Sequence, residues 1–318
     1  MFDKAHNSRK KGNIPNSQTC NVCRNELITF YSKVQDPITN EIFAIFKCTK
    51  CGLGHTLPHP ENLKKYYDKT YYGNRHGFTQ DYCIKRRTKL VFWGLKDSDG
   101  KRLLDIGCGD GSFLRAIKES GWDVAGTEIN PNLELTGGLI VKENIEELSD
   151  CAPFDCITMW HTLEHMPNIR STLSQINSLL KPSGKLIIAV PNINSFQSKV
   201  FKSKWLPLDV PRHQYHFDVP SLQYCLRANG FVVQHQLYQE LEYDLLGWTQ
   251  SALNCILPTP NIFFDILRGK PKIKRKKYSQ FNMLLGIFFL LLSIPAVLIE
   301  RLFNRSGTII TIIIKDVK

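Results

Sequence analysis

The sequence predicts an α/β fold: a doubly wound, seven-stranded, mostly parallel sheet, with a small metal-binding unit ahead of it and a hydrophobic insertion before its last strand. Three observations carry this reading. From Lys101 onward, short apolar runs alternate with helical stretches, and strands separated by helices of about ten to fifteen residues make parallel sheets covered on both faces. A glycine-rich turn, Gly107-Cys108-Gly109-Asp110-Gly111, follows the first of those runs. Two cysteine pairs, Cys20/Cys23 and Cys48/Cys51, stand upstream in strand-like sequence.

Length and composition narrow the classes. A chain of 318 residues suits one large domain or two unequal ones, and 42% hydrophobic with 22% charged residues excludes wholesale disorder and a polytopic membrane protein. The net charge is +12, but the run from Arg268 to Lys277 supplies seven of those charges. Basicity is therefore local, and no nucleic-acid partner is expected. The opening MFDKAHNSRKKGN lacks the apolar core of a secretory signal. A reducing, cytoplasmic setting is expected, in which ten cysteines do not form a disulfide scaffold.

Taken in order, residues 1–19 are polar and read as a flexible tail. Residues 20–60 hold the C-x2-C pairs. Four thiolates close a tetrahedral zinc shell and leave no open position for catalysis, so a structural or acceptor-recognition role is expected. Gly52, directly after the last cysteine, suits a metal knuckle, and so small a unit buries too little to hold itself without metal. Iron is the alternative that the same sulfurs allow. Residues 61–72 and 79–93 look helical, which makes 61–95 a connector. Strands are read at 102–106, 123–128, 139–141, 155–160, 185–190, 231–237 and 308–314. Helices are read at 112–120 and 168–180, the second stopped by Pro182 and Gly184. The sheet domain thus comprises 96–237 and 307–318.

The chemistry lies at the first strand's end. Glycines there let a backbone approach a ligand, and Glu128, ending the next strand, is placed to accept hydrogen bonds from both hydroxyls of a ribose. A dinucleotide fingerprint would need its third glycine where Ser112 stands; Gly111 comes one position early. Asp105, before the first glycine, suits a cationic amine rather than a pyrophosphate. In these residues the chain resembles the class I S-adenosylmethionine-dependent methyltransferases, of type 11/23 and Rossmann-like in fold. Phe154-Asp155, Leu163-Glu164-His165 and Leu180-Lys181-Pro182-Ser183-Gly184-Lys185 add to the match. Val190-Pro191-Asn192, Pro211-Arg212-His213 and Gly230-Phe231 resemble a subgroup with a cysteine-rich N-terminal unit. The likeness spans roughly residues 20–237 and the final strand.

The resemblance implies S-adenosylmethionine as cofactor, beside a structural zinc ion. It implies that Asp105, Gly107 and Gly109 shape the methionine and ribose pocket and that Glu128 holds the ribose. Ile129, Asn144 and Ile145 would meet the adenine, and Trp160 and His161 would close the pocket. A hydroxyl or acidic-carbon acceptor also needs a base, for which His165 and His213 are the candidates; bracing a loop is their alternative role. Arg212 is a candidate for an anionic group on the acceptor. The string His161-Thr162-Leu163-Glu164-His165 matches a zinc-peptidase pattern, but its first histidine ends a strand and Pro167 follows closely. A nicotinamide oxidoreductase and a non-catalytic adaptor are the other classes kept open.

The insertion, 238–306, contains seventeen uncharged residues from Met283 to Ile299, which as a helix would rise about 25 Å. In the resembled family the last strand lies antiparallel beside the sixth. One complete membrane crossing between these two strands would part them. Residues 268–303 are therefore expected to attach to an anionic membrane surface monotopically, at the inner face, with a bend at Pro295. The basic run would add about 1 kcal/mol per charge. Residues 262–267 read as a second apolar element. A buried helix or dimer contact is the alternative. The acceptor is expected to be a small molecule, and the insertion points to a lipid, a lipid-linked saccharide or a quinone-like head group.

Overall fold

The computed structural model describes residues 18–60, 62–67, 79–93, 101–129, 136–238, 240–268 and 276–316. Almost all of the expected tail, much of the connector and most of the basic run lie outside the described residues.

Two sheets organise the described chain. The first begins as an antiparallel meander of β1 (Leu27–Gln35), β2 (Ile42–Cys48) and β3 (Gly54–Leu57). The second contains β4 (Arg102–Ile106), β5 (Asp123–Thr127), β6 (Ile140–Lys142), β7 (Phe154–Trp160) and β8 (Leu180–Pro191). A two-residue strand, β9 (Tyr215–His216), pairs with β3 and fastens the meander to the rest of the molecule. The second sheet is completed by β10 (Phe231–Leu237) and β11 (Thr308–Lys315). Its order is β10-β11-β8-β7-β4-β5-β6, all parallel except β11, which runs antiparallel between β10 and β8. The chain winds one way from β4 through β5 to β6 and then the other way through β7, so the switch point falls between β4 and β7. Ligands of such sheets bind at the carboxyl ends of the strands beside that point.

Helices connect these strands: α1 (Gln80–Phe92), α2 (Ser112–Glu119), α3 (Ile169–Leu179), α4 (Phe196–Phe201) and α5 (Val219–Arg227). Asn168 caps α3 by accepting from Ser171 N, and Asp218 caps α5 from Ser221 N. The runs Leu186–Val190 in β8 and 308–313 in β11 are buried throughout, as β-branched and aliphatic strands covered on both faces should be. One correction concerns β8. It starts at Leu180, directly from α3 and across Pro182 and Gly184, five residues before the strand expected there. A register shift between Phe154 and Cys156 absorbs the extra residues, pairing Phe154 with Leu180 but Cys156 with Lys185. One hydrophobic core runs from Cys20, Leu27 and Phe46 of the small unit to Leu104, Ile188 and Ile309 of the large sheet.

Three helices form the insertion: α6 (Leu241–Ile256), α7 (Ile262–Leu267) and α8 (Lys276–Leu302). The last is one continuous helix through Pro295, which lies on its exposed side. Its polarity is inverted. Asn282, Gly286, Ser293, Val297 and Glu300 face inward, where Glu300 accepts from Trp248 Nε1 at 2.9 Å and from Gln197 N at 2.8 Å. Phe281, Leu284, Ile287, Phe288, Leu291, Leu292, Leu298 and Leu302 are exposed. The stretch Gln280–Leu302 is long and apolar enough to cross a membrane by length and composition.

Candidate functional site

Asp105 is the fourth residue of β4, and β4 is central because parallel neighbours flank it on both sides. Its carboxyl is 3% exposed and accepts from Thr158 Oγ1 at 2.6 Å. Burial pushes its pKa up to about 7, against the opposing pull of that hydrogen bond and of the Arg87 charge. Beyond it the chain turns through Gly107 (φ 78°), Gly109 (φ 60°) and Gly111 (φ 73°) into α2. A Cβ on Gly107 would lie 2.5 Å from Thr162 Oγ1, whereas one on Gly109 would meet nothing within 4 Å. The first glycine lets two loops touch, and the second leaves open space for a ligand. Glu128, just past β5, is buried and accepts from Gly109 N at 3.0 Å, which ties the turn to the next strand.

Asp105, Gly107 and Gly109 line a cavity of about 60 Å³ at the switch point, together with Trp160, Arg87 of α1 and Tyr243 of α6, while Glu128 adjoins it through its bond to Gly109. Trp160 is buried beneath the Arg87 guanidinium, 5.0 Å above its ring, and its Nε1 has no hydrogen-bond partner among the described residues. His161 is the next residue, held at φ 52° and stacked on Tyr243 with 4.1 Å between ring centroids. Its Nε2 lies 2.5 Å from Glu240 Oε2 and its Nδ1 3.6 Å from Glu164 Oε1. Burial opposes the imidazolium, but the charge of Glu240, the nearby Glu164 carboxylate and the bond to Glu240 outweigh it, so His161 titrates well above the usual histidine range. The remaining expected residues lie apart from the cavity. Ile129 is half exposed, and Ile145 is buried in the core. Asn144 caps a short 3-10 turn, its N and Nδ2 both 3.1 Å from Glu147 Oε1.

His165 and His213 form a second cluster with Glu164, where one ligand atom from each lies within 4.8 Å of the others. The two rings meet edge to face with centroids 4.5 Å apart. His213 Nδ1 is 2.8 Å from Pro207 O, and His165 Nδ1 is 3.0 Å from Arg212 O. Burial raises the pKa of Glu164, yet its histidine neighbours, His161 first, bring it below the usual carboxylate value. Arg212, a candidate for an acceptor anion, is instead fully engaged inside the protein. It is 1% exposed and bonded to Asp36 at 2.9 Å, Asp209 at 2.6 Å and the Tyr66 carbonyl at 3.3 Å.

The four cysteines gather into one cluster, all Sγ atoms within 4.8 Å. Cys20 and Cys51 lie 3.6 Å apart and Cys23 and Cys48 3.3 Å apart, close to the edge of about 3.8 Å that a tetrahedron of 2.3 Å zinc–sulfur bonds requires. Val22 N and Cys51 N point at Cys20 Sγ and Cys48 Sγ. The hydrogen bond from Cys51, aided by His55, lowers the Cys20 pKa to about 3 despite burial. The donor set fits zinc.

Arg87, Glu240 and Tyr243 were not legible as site residues, because they lie at a distance in sequence on helices whose packing no local pattern announces. The acids 240, 242 and 244 opening an otherwise apolar helix are the one signal that marked the place.

Residues 75–236 match the family model described as a methyltransferase domain. Among curated proteins, the ubiquinone biosynthesis O-methyltransferase of Xylella fastidiosa strain 9a5c is 30% identical over 132 residues, which cover 36% of this chain and 54% of that protein. The protein of the same name from Dechloromonas aromatica is 33% identical over 139 residues, 38% of this chain and 60% of its own. The chain thus spans a little over half the length of these relatives. A solved SAM-dependent methyltransferase from Archaeoglobus fulgidus aligns over 80% of this chain and 100% of its own, at 22% identity and a TM-score of 0.45.

Proposed function

The chain belongs to the methyltransferase-domain family that its residues 75–236 match, and within that family we propose an enzyme that methylates an oxygen of a lipid or lipid-linked acceptor at a membrane face. When bound, S-adenosylmethionine supplies a methyl group on a sulfonium, which is displaced in line. Asp105 holds the ammonium of this donor, and the second oxygen of Glu128 is offered to its ribose. The open space beside Gly109 and the unpartnered Trp160 Nε1 fit a ligand in the cavity. On the acceptor side, His165 or His213 takes the hydroxyl proton, with Glu164 stabilising the imidazolium. The four cysteines hold a structural zinc ion. The names of the relatives support oxygen as the accepting atom.

The observation that carries the membrane reading is the outward apolar face of α8. A helix in water turns its apolar stripe to the core, but α8 turns Asn282, Ser293 and Glu300 inward and leaves its large apolar side chains outside. The chain leads from this helix within six residues to Thr308, which pairs with Pro191 at the carboxyl end of β8. The reading places the protein monotopically on the inner, anionic leaflet, where the run from Arg268 to Lys277 matches the surface charge.

To test it, protein, methyl-labelled S-adenosylmethionine and a cell extract of the source are incubated, and products are partitioned between organic and aqueous phases. Label is expected in the organic phase; label confined to the aqueous phase rejects a lipid acceptor. A second outcome concerns attachment. Replacing Leu284, Leu291 and Leu298 by glutamine should remove about 1 kcal/mol or more of bilayer affinity per residue. Sedimentation with phosphatidylglycerol vesicles should therefore be lost, and undiminished sedimentation would discount α8 as the anchor.

A further inference from the structure

The family match ends at residue 236 and does not reach α6. Yet α6 stands in the donor site. Tyr243 lines the cavity that holds Asp105, Gly107 and Gly109, with its ring flat against His161. Glu240, wholly buried at the helix N-cap, accepts from His161 Nε2 at 2.5 Å, from Arg87 Nη2 at 3.4 Å and from Arg86. Glu242, two residues on, accepts from Arg86 at 3.1 Å and from Cys83 Sγ at 3.0 Å. Helix α1 and the loop after β7 are thus gathered onto two carboxylates of the insertion.

The charges of the cavity say which part of the donor is concerned. Asp105 and Arg87 both line it, one matched to an ammonium and the other to a carboxylate, the two charges of an α-amino acid. The enclosed end of the site is therefore suited to the methionine portion, while the adenosine extends toward Glu128 and Ile129. Arg87 is buried over the Trp160 ring, and Glu240 is the carboxylate that reaches its guanidinium there. Without that charge, Arg86, Arg87 and His161 would crowd together with one compensating carboxylate fewer.

We propose that the insertion completes the donor site: Tyr243 walls the methionine portion of the donor, and Glu240 positions Arg87 and His161 around it. This rests on the methyl-donor reading above. The same segment that carries the apolar helix would then be indispensable to the donor, not only to the acceptor or to attachment.

Two probes separate the possibilities on the full-length protein by calorimetry: S-adenosylhomocysteine, and 5′-methylthioadenosine, which lacks the amino-acid portion. Tyr243→Ala and Glu240→Gln should each weaken S-adenosylhomocysteine by about 10- to 100-fold, less than the loss of a direct buried charge partner because neither side chain itself pairs with a charge of the donor. Both variants should bind methylthioadenosine as the wild type does, which also reports that they are folded. Tyr243→Phe keeps the ring and should restore wild-type binding of both. An unchanged preference for S-adenosylhomocysteine over methylthioadenosine in Tyr243→Ala and Glu240→Gln overturns the proposal, as does an equal loss of both probes. A wild-type chain that binds neither probe instead overturns the methyl-donor reading itself.

Discussion

Asp105→Asn is expected to abolish measurable S-adenosylhomocysteine binding while leaving the protein as stable at neutral pH as the wild type, or more so. The amide keeps an oxygen for Thr158, whose hydroxyl donates at 2.6 Å, so only the charge is lost. Losing the anionic partner of a buried ammonium costs about 2–5 kcal/mol, or about 30- to several-thousand-fold in affinity. Stability moves the other way because the carboxylate is desolvated. Its folded pKa of about 7 lies above the ordinary 3.8, so the neutral form is favoured in the folded protein. Wild-type stability should therefore decline as pH rises from about 4 to 7, and the asparagine variant should lack that decline. Donor affinity has the opposite dependence. An ammonium needs the ionised carboxylate, so wild-type affinity should fall about tenfold for each pH unit below about 7. Calorimetry from pH 5 to 8 checks both slopes, and an affinity independent of pH would remove Asp105 from the donor site.

Cys48→Ser is expected to empty the metal site and to loosen a segment of the large domain more than one hundred residues away. Structural zinc contributes about 10–16 kcal/mol to small domains of this kind, far more than a unit of this size recovers from its own core. The unit does not end at its own residues, however. Thr56 N and Oγ1 bond the carbonyls of Gln214 and His213 at 2.9 and 2.7 Å, and Asp36 pairs with Arg212 inside the protein. Zinc content by mass spectrometry should drop from one ion per chain to none. Hydrogen exchange should then rise across residues 209–217 as well as 20–60, while residues 103–128 stay protected. Protection of 209–217 unchanged after metal loss would mean that the unit is merely appended.

Much of the sheet could be read from the chain because its strands announce themselves. The runs at 186–190 and 308–314 are aliphatic and β-branched without interruption, and only a strand buried on both faces needs that. Asp105, the glycines and Glu128 were legible for a similar reason: their spacing follows from one strand, one turn and the next strand. What escaped depends on encounters between distant segments. Two residues, Tyr215 and His216, carry no strand signal of their own and pair only because β3 offers an edge. Arg212 looked available until Asp36 arrived beside it from 176 residues away. Helix α8 was visible as an apolar block, but its bounds at 283 and 299 left out Asn282 and Glu300, whose inward placement together with Ser293 inverts the helix.

The position of β11 has a consequence for the life of the chain on the ribosome. This strand follows the whole insertion in sequence, yet it lies inside the sheet, hydrogen-bonded to β8 on one side and β10 on the other. At synthesis rates of about 5–20 residues per second, several seconds separate the emergence of β8 from that of its neighbour. Through that interval the edge of β8, with Leu186 to Val190 unpaired, is a template for other strands. Helix α8, whose outward face is apolar, emerges within the same interval. Until β11 arrives, the nascent chain therefore carries two adhesive surfaces at once. The wait for β11 is accordingly the interval in which the chain is most open to aggregation, before the enzyme has met either donor or acceptor.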